Sequence, residues 1–150
     1  FNKLSFGIKD SFLNVKFLSD RDYLRKNRSI LDPLGIKSFN SKILDTVKKN
    51  HYDLIILGHT DKISVNTYKE IISRNNKIKI IKIYIDSISD EFFDFNKVFY
   101  DYNYLDKIFI TSNPKKLLNY DFHHKINFLP YPVHPKIDFL KSFLIKKKKN

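Results

Sequence analysis

The chain predicts an α/β fold, an open parallel sheet flanked by helices in three α/β/α layers. Three observations carry that expectation. Short apolar runs rich in β-branched residues recur at 53–58, 78–85, 107–111 and 125–129. Amphipathic stretches with helical spacing separate them. The runs are continuous, which suits strands buried on both faces of a parallel sheet, and their alternation with helices argues for βαβ units.

Each element has its own signal. Phe39, Ile43, Leu44 and Val47 form a helical stripe over 39–49, with Asn40 or Ser41 as the cap. The run at 53–58 is a strand that Gly58 ends, freeing the backbone to turn. A second helix spans 65–75, capped by Asn66 or Thr67, with Tyr68, Ile71 and Ile72 turned inward. Ile78, Ile80, Ile81, Ile83 and Ile85 mark the next strand, with Lys79 and Lys82 at less buried positions and Asp86 directly after it. The aromatic cluster from Phe92 to Tyr104 reads as core packing, with a helix over 96–104. A third strand at 107–111 runs into Ser112, Asn113 and Pro114, which look like the start of a helix over 115–120. The strand at 125–129 is stopped by Pro130. Before Asp32, residues 15–18 suit an edge strand, and the charge-dense 19–25 suit an exposed helix in preference to an acceptor-side loop.

The chain has 150 residues, 42% of them hydrophobic and 15% aromatic, enough to build a core and too many for a disordered chain. With no Cys there is no disulfide framework, thiolate metal site or cysteine nucleophile. No apolar run approaches the ~20 residues of a membrane span. The chain starts at Phe1 and contains no Met, so it is expected to be a processed or internal piece of a longer protein. The Pro-rich turn at 129–135 reads as a domain exit. Residues 1–134 are then one domain, and 135–150 a connector or the truncated start of a second.

Twenty-eight Lys and Arg against 16 Asp and Glu give a net charge of +12. The basic residues are mostly Lys and run through every segment. Only Arg21, Arg25, Arg28 and Arg74 supply the usual reader of base edges, and no nucleic-acid-binding motif is present. A solvated basic surface is the plainer reading, and specific nucleic-acid binding is not expected. The competing function is a basic α/β module for an anionic partner such as nucleic acid or a phospholipid surface.

In open α/β sheets, ligands bind beyond the carboxyl ends of the strands. That rule selects Gly58, His59 and Asp61 after the first strand, Asp86 after the second, and Ser112 and Asn113 after the third. His59, beside Asp61, suits either a proton acceptor or sugar-hydroxyl ligand, or a helix cap. Asp86 suits either a base or hydroxyl ligand, or a turn former. His123, His124 and His134 lack the spacing of a metal site, so no metal is expected. No GxGxxG, Walker or GxSxG motif occurs, and no cofactor is expected.

The ordered set of 52–61, the strand ending in Asp86, residues 105–112, and the run Phe128, Leu129, Pro130, Tyr131, Pro132, Val133, His134 resembles the amino-terminal half of a GT-B type glycosyltransferase. In that superfamily a hydrophobic-Pro-Asn-Pro-Val-Asp run leads from the first domain to the second. Tyr131 and His134 depart from its Asn and Asp. The resemblance implies a Rossmann-like lobe that faces a second lobe across a cleft. The second lobe would bind the nucleotide-sugar donor. The lobe described by this chain would bind the acceptor, a glycan or a lipid-linked acceptor such as a cell-envelope precursor. His59 or Asp86 would be the base, with Gly58, Asp61, Ser112 and Asn113 binding substrate. It also implies a cytoplasmic enzyme and no transferase activity from a piece lacking the donor lobe; the basic surface would suit peripheral contact with anionic membrane.

Overall fold

The computed structural model describes residues 2–12, 14–86, 88 and 94–130. Leu18–Leu129 form one compact unit, and Phe1–Phe17 with Pro130–Asn150 make up another. In the latter, helix α1 (Asn2–Ser11) is closed by the Ser11 hydroxyl donating to the Gly7 carbonyl at 2.7 Å. The Lys9 ammonium lies 5.7 Å from the centre of the Phe17 ring. The domain exit expected at 129–135 falls outside the described residues from Tyr131 onward, as does the connector.

The Leu18–Leu129 unit is α/β, as expected. Its elements run α2 (Asp20–Lys26), α3 (Ile36–Lys49), β1 (Leu54–Leu57), α4 (Val65–Arg74), β2 (Lys79–Tyr84), α5 (Phe95–Val98), β3 (Lys107–Ile110) and β4 (Ile126–Phe128). Short 3-10 turns at Tyr102–Tyr104, Pro114–Leu117 and His123–Lys125 fill the later connections. The four strands are all parallel and lie in the order β1-β2-β3-β4. Parallel neighbours need crossover connections, and the helical segments between the strands supply them.

In this register Leu57, Ile80, Lys82, Tyr84, Ile108 and Ile110 share one face of the sheet. All six are buried. The apolar members pack with Phe39 of α3, Tyr68 and Ile71 of α4, and Phe99, Leu105, Leu117 and Phe122 in one cluster. On the other face Ile56, Ile81 and Phe109 are half-buried. β1 is an outer strand among the described residues, so Leu54, Ile55 and Ile56 are only partly covered, and the expected burial of β1 on both faces is not met. Residues 15–18 form no strand, because they have no ladder partner among the described residues.

The helix starts differ from the sequence expectation for a common reason: tertiary partners claim the polar side chains. α3 begins three residues early. Gly35 stands at its N-cap with φ 70°, and the Asp32 carboxylate accepts from the Ser38 backbone N–H at 2.8 Å. Asn40, expected as the cap, is buried inside the helix and bonds elsewhere. α4 is capped by Ser64, whose hydroxyl accepts from the Thr67 N–H, and not by Asn66 or Thr67. The helices expected over 96–104 and 115–120 are shorter, with 3-10 turns at Tyr102–Tyr104 and Pro114–Leu117.

The largest departure is Lys82. Its side chain is 1% exposed, in the middle of β2, and its ammonium donates to both carboxylate oxygens of Asp101, at 2.8 and 3.0 Å, and to the Val98 carbonyl at 2.7 Å. The Tyr68 hydroxyl of α4 donates to the same carboxylate at 2.6 Å. Burial, then the Asp101 charge and its hydrogen bond, push the Tyr68 phenol far above its usual range. The Tyr100 ring lies 5.5 Å from the ammonium, with its hydroxyl donating to the Ile63 carbonyl. A strand lysine reads as a solvent-side residue in sequence because its partner lies 19 positions away.

No helix among the described residues is long and apolar enough to cross a membrane.

Removing one partner of a buried ion pair strands the other charge. Lys82→Met and Asp101→Asn are each expected to cost about 3–5 kcal/mol in urea denaturation. A Lys82→Met/Asp101→Leu double variant is expected to lose less than the sum of the two. Asp32 supplies a pH test. The Ser38 backbone N–H, foremost, holds its carboxyl below the usual value of 3.8 against the opposing effect of burial. A depressed carboxylate stabilises the fold above its unfolded value and loses that contribution as pH falls through the folded value. The gap in unfolding midpoint between the natural chain and Asp32→Ala is therefore expected to be widest near neutral pH and to narrow below about 3.8.

Candidate functional site

Parallel pairing brings the carboxyl ends of β1, β2 and β3 to one rim, with Leu57 level with Lys82 and Tyr84 level with Ile110. The segments that follow meet there. The His59 Nδ1 lies 2.7 Å from the Asp86 carboxylate. The Thr111 hydroxyl donates to the Ile85 carbonyl at 2.8 Å. The Ser112 hydroxyl accepts from the Ile88 N–H at 3.1 Å and reaches the Asp86 carbonyl at 3.5 Å. Of the sequence candidates, His59, Asp86 and Ser112 are thus brought together.

The others make separate contacts. Gly58 closes a tight turn, its carbonyl accepting from the Thr60 N–H at 2.9 Å. Asp61 does not orient His59; it pairs with the Lys62 ammonium at 2.8 Å. Burial would raise the Asp61 carboxyl, but the hydrogen bond and charge of Lys62 outweigh it and hold the group below the usual range. Asn113 caps the 3-10 turn after β3, its side-chain oxygen accepting from the Lys115 N–H at 3.0 Å.

A cavity of about 430 Å³ opens at this rim. His59, Thr60, Asp61 and Lys62 line it from the β1 turn, and Tyr84 from the end of β2. Asp20, Arg21 and Leu24 of α2 and Asp94, Lys97 and Val98 at α5 complete it. Three Lys or Arg thus stand among three Asp, so the cavity is of mixed charge. All three carboxylates already have partners: Asp94 caps α5, Asp20 accepts from the Arg21 N–H and Asp61 pairs with Lys62.

Asn40 holds the β1 turn in place. Its amide donates to the Lys62 carbonyl at 2.9 Å and the Ile36 carbonyl at 2.7 Å. Its carbonyl accepts from the Ser64 N–H at 2.8 Å and the Thr67 hydroxyl at 2.6 Å. All four hydrogen-bonding positions of that buried amide are filled. The His59–Asp86 pair is fixed from beneath, with the imidazole edge-on to the Tyr84 ring at 4.9 Å and 66°. Burial, then the Asp86 charge, raise the Tyr84 phenol.

The pair itself is open, the two side chains being 46% and 62% exposed. Exposed pairs of this kind add at most about 1 kcal/mol to stability. Its consequence is chemical. A carboxylate on Nδ1 sets that nitrogen as the donor and leaves Nε2 as the basic one. No hydrogen bond to Nε2 is made among the described residues. Sequence reasoning missed Tyr84, Lys62 and Lys97. Tyr84 had a signal, since it sits where the apolar run of β2 gives out. Lys97 had none, because only the fold carries α5 to the rim, and Arg21 had only the charge density of 19–25.

Among the described residues no cluster of three or more His, Asp or Glu is placed to hold a metal ion. The His123 and His124 Nδ1 atoms each lie 2.9 Å from a backbone carbonyl, of Tyr120 and Asp121. No protein-family model matches the chain, and no match is found among curated proteins or solved structures.

Nitrogen-15 NMR of the imidazole checks the pairing. Neutral His59 is expected as the Nδ1–H tautomer, and Asp86→Ala is expected to move it toward the Nε2–H form that free histidine favours.

Proposed function

We propose that the chain is the acceptor-side lobe of a GT-B type glycosyltransferase, moving a sugar from a nucleotide-sugar donor to a hydroxyl acceptor. The observation that carries this reading is the His59–Asp86 pair, 2.7 Å apart at the carboxyl rim of a parallel sheet, with His59 lining a cavity.

In this reading His59 Nε2 takes the proton of the acceptor hydroxyl as its oxygen bonds to the anomeric carbon. The bond from that carbon to the donor's diphosphate breaks, and the diphosphate leaves with the electron pair. Asp86 keeps the imidazole in the competent tautomer and stabilises the imidazolium that forms. Thr60, Asp61 and Lys62 offer a hydroxyl, a hydrogen-bond acceptor and a donor within one turn. Such a mixed set suits a neutral polyhydroxyl acceptor better than a polyanion. The donor nucleotide would be held by a facing lobe, and closure of the two would exclude water from the reacting centre. A cavity lined by equal numbers of opposite charges also speaks against the alternative of a polyanion-binding module at this site.

Transfer from nucleotide sugars by the whole protein that carries this chain is the test. His59→Ala is expected to lower kcat by roughly a hundredfold or more, the usual contribution of a positioned base. Asp86→Asn is expected to lower kcat with little change in KM, since it alters the tautomer and not the cavity. Unchanged turnover in both variants would remove the assignment.

A further inference from the structure

The loop between α2 and α3 breaks a local rule at evident structural expense. Ser29 and Asp32 close a two-residue turn by exchanging backbone hydrogen bonds, Ser29 N–H to Asp32 carbonyl at 3.1 Å and Asp32 N–H to Ser29 carbonyl at 3.2 Å. Such tips are normally Asn, Asp or Gly, which tolerate the backbone and face water. Here they are Ile30 and Leu31, 96% and 86% exposed, followed by Leu34 at 62%.

The turn is held firmly. The Ser29 hydroxyl accepts a second bond from the Asp32 N–H at 3.1 Å. The Gly35 N–H donates to the Asp32 carbonyl at 3.0 Å, and the Asp32 carboxylate is tied to the start of α3. Gly35 has φ 70° and lies so close to α2 that a β-carbon there would sit 2.6 Å from the Leu24 carbonyl oxygen. The fold therefore presents three large aliphatic side chains to water on a braced support.

The surroundings are basic. Arg25, Lys26, Arg28 and Lys37 flank the turn and are exposed, and none is in an ion pair among the described residues. The one carboxylate between Arg25 and Lys37 is the buried Asp32. Three of the four arginines of the chain stand in 21–28.

We propose that this turn docks the chain on an anionic phospholipid surface, with Ile30, Leu31 and Leu34 entering the acyl boundary while the flanking cations meet the lipid phosphates. Aliphatic tips with a cationic collar match both halves of such an interface. Nucleic acid would use the collar and leave the aliphatic tip in water. A second copy would meet the same cations on a chain of net charge +12, and three side chains fall well short of the roughly 800 Å² per partner of a stable protein interface. α2 has one end at the cavity and the other at this turn, so docking would hold the cavity near the lipid headgroups. The docking stands whether or not the cavity transfers sugars, because it is read without turnover.

The test is flotation of the 150-residue chain with phosphatidylcholine vesicles and with vesicles roughly one-third phosphatidylglycerol. Binding is expected only to the anionic vesicles and is expected to fall with added salt. Ile30→Asn/Leu31→Gly is expected to weaken it at least tenfold with the thermal midpoint unchanged, since both side chains lie in solvent. Arg25→Gln and Arg28→Gln are each expected to weaken it about fivefold. The chain has no Trp, so Leu31→Trp gives a clean probe whose emission is expected to shift to the blue on vesicle addition. The proposal is overturned by no binding to anionic vesicles, by undiminished binding of the Ile30→Asn/Leu31→Gly variant, or by emission from Leu31→Trp that does not move. A concentration-dependent dimer, or binding to RNA, that the tip substitution abolishes while vesicle binding persists would also overturn it.

Discussion

The arrangement of the Leu18–Leu129 unit depends on one buried ion pair. Lys82 lies on the central strand β2, on the face that the helices cover, and Asp101 belongs to the crossover leading to β3. Neither charge reaches water, so each is tolerable only because the other is there. The pair takes up every strong contact nearby: the Val98 carbonyl at the end of α5, the Tyr68 hydroxyl of α4, and the face of Tyr100. Two crossover segments are thereby attached to one strand position. Apolar residues at both Lys82 and Asp101 would fill the space, but would not distinguish one placement of α4 and α5 from another. That positional demand reaches the rim, because Lys97 and Val98 of α5 line the cavity.

Asn40 performs the matching task between α3 and the start of α4. A carboxamide with two donors and two acceptor sites, buried and fully bonded, fixes the distance between α3, the β1 turn and the cap of α4. The His59–Asp86 pair contributes little to stability, yet it rests on a base that these two polar networks make rigid. Precision at the rim comes from groups that never touch a ligand. This division of labour is common where a site must hold geometry while staying open to solvent.

Consistency between local preference and global fold is the rule in this unit, and departures from it stand out. Polar residues fall inside at Lys82, Asp101, Asn40 and Thr67, and each is satisfied by named partners. Apolar residues fall outside at Leu118 and Phe128 and, clustered on one turn, at Ile30, Leu31 and Leu34. The first kind of exception serves the fold. The second serves no contact inside the unit, and at the Ile30–Leu31 turn it is the basis of the proposed docking.

The fold class could be read from the sequence alone, because parallel strands carry continuous apolar runs and helices carry a stripe, and both patterns are local. The carboxyl ends of those strands were legible for the same reason, and so His59, Asp86 and Ser112 could be named before any coordinates. Partners were not legible. Periodicity states which face a side chain takes, not which residue 19 or 27 positions away will meet it, so Lys82 reads as exposed and Asn40 as a cap. His59 was paired with Asp61, its neighbour in the chain, whereas parallel pairing of β1 with β2 delivers Asp86 instead. The cavity wall contributed by α5 depends on crossover placement, which long-range hydrogen bonds such as that of Lys82 to the Val98 carbonyl decide and no local pattern encodes.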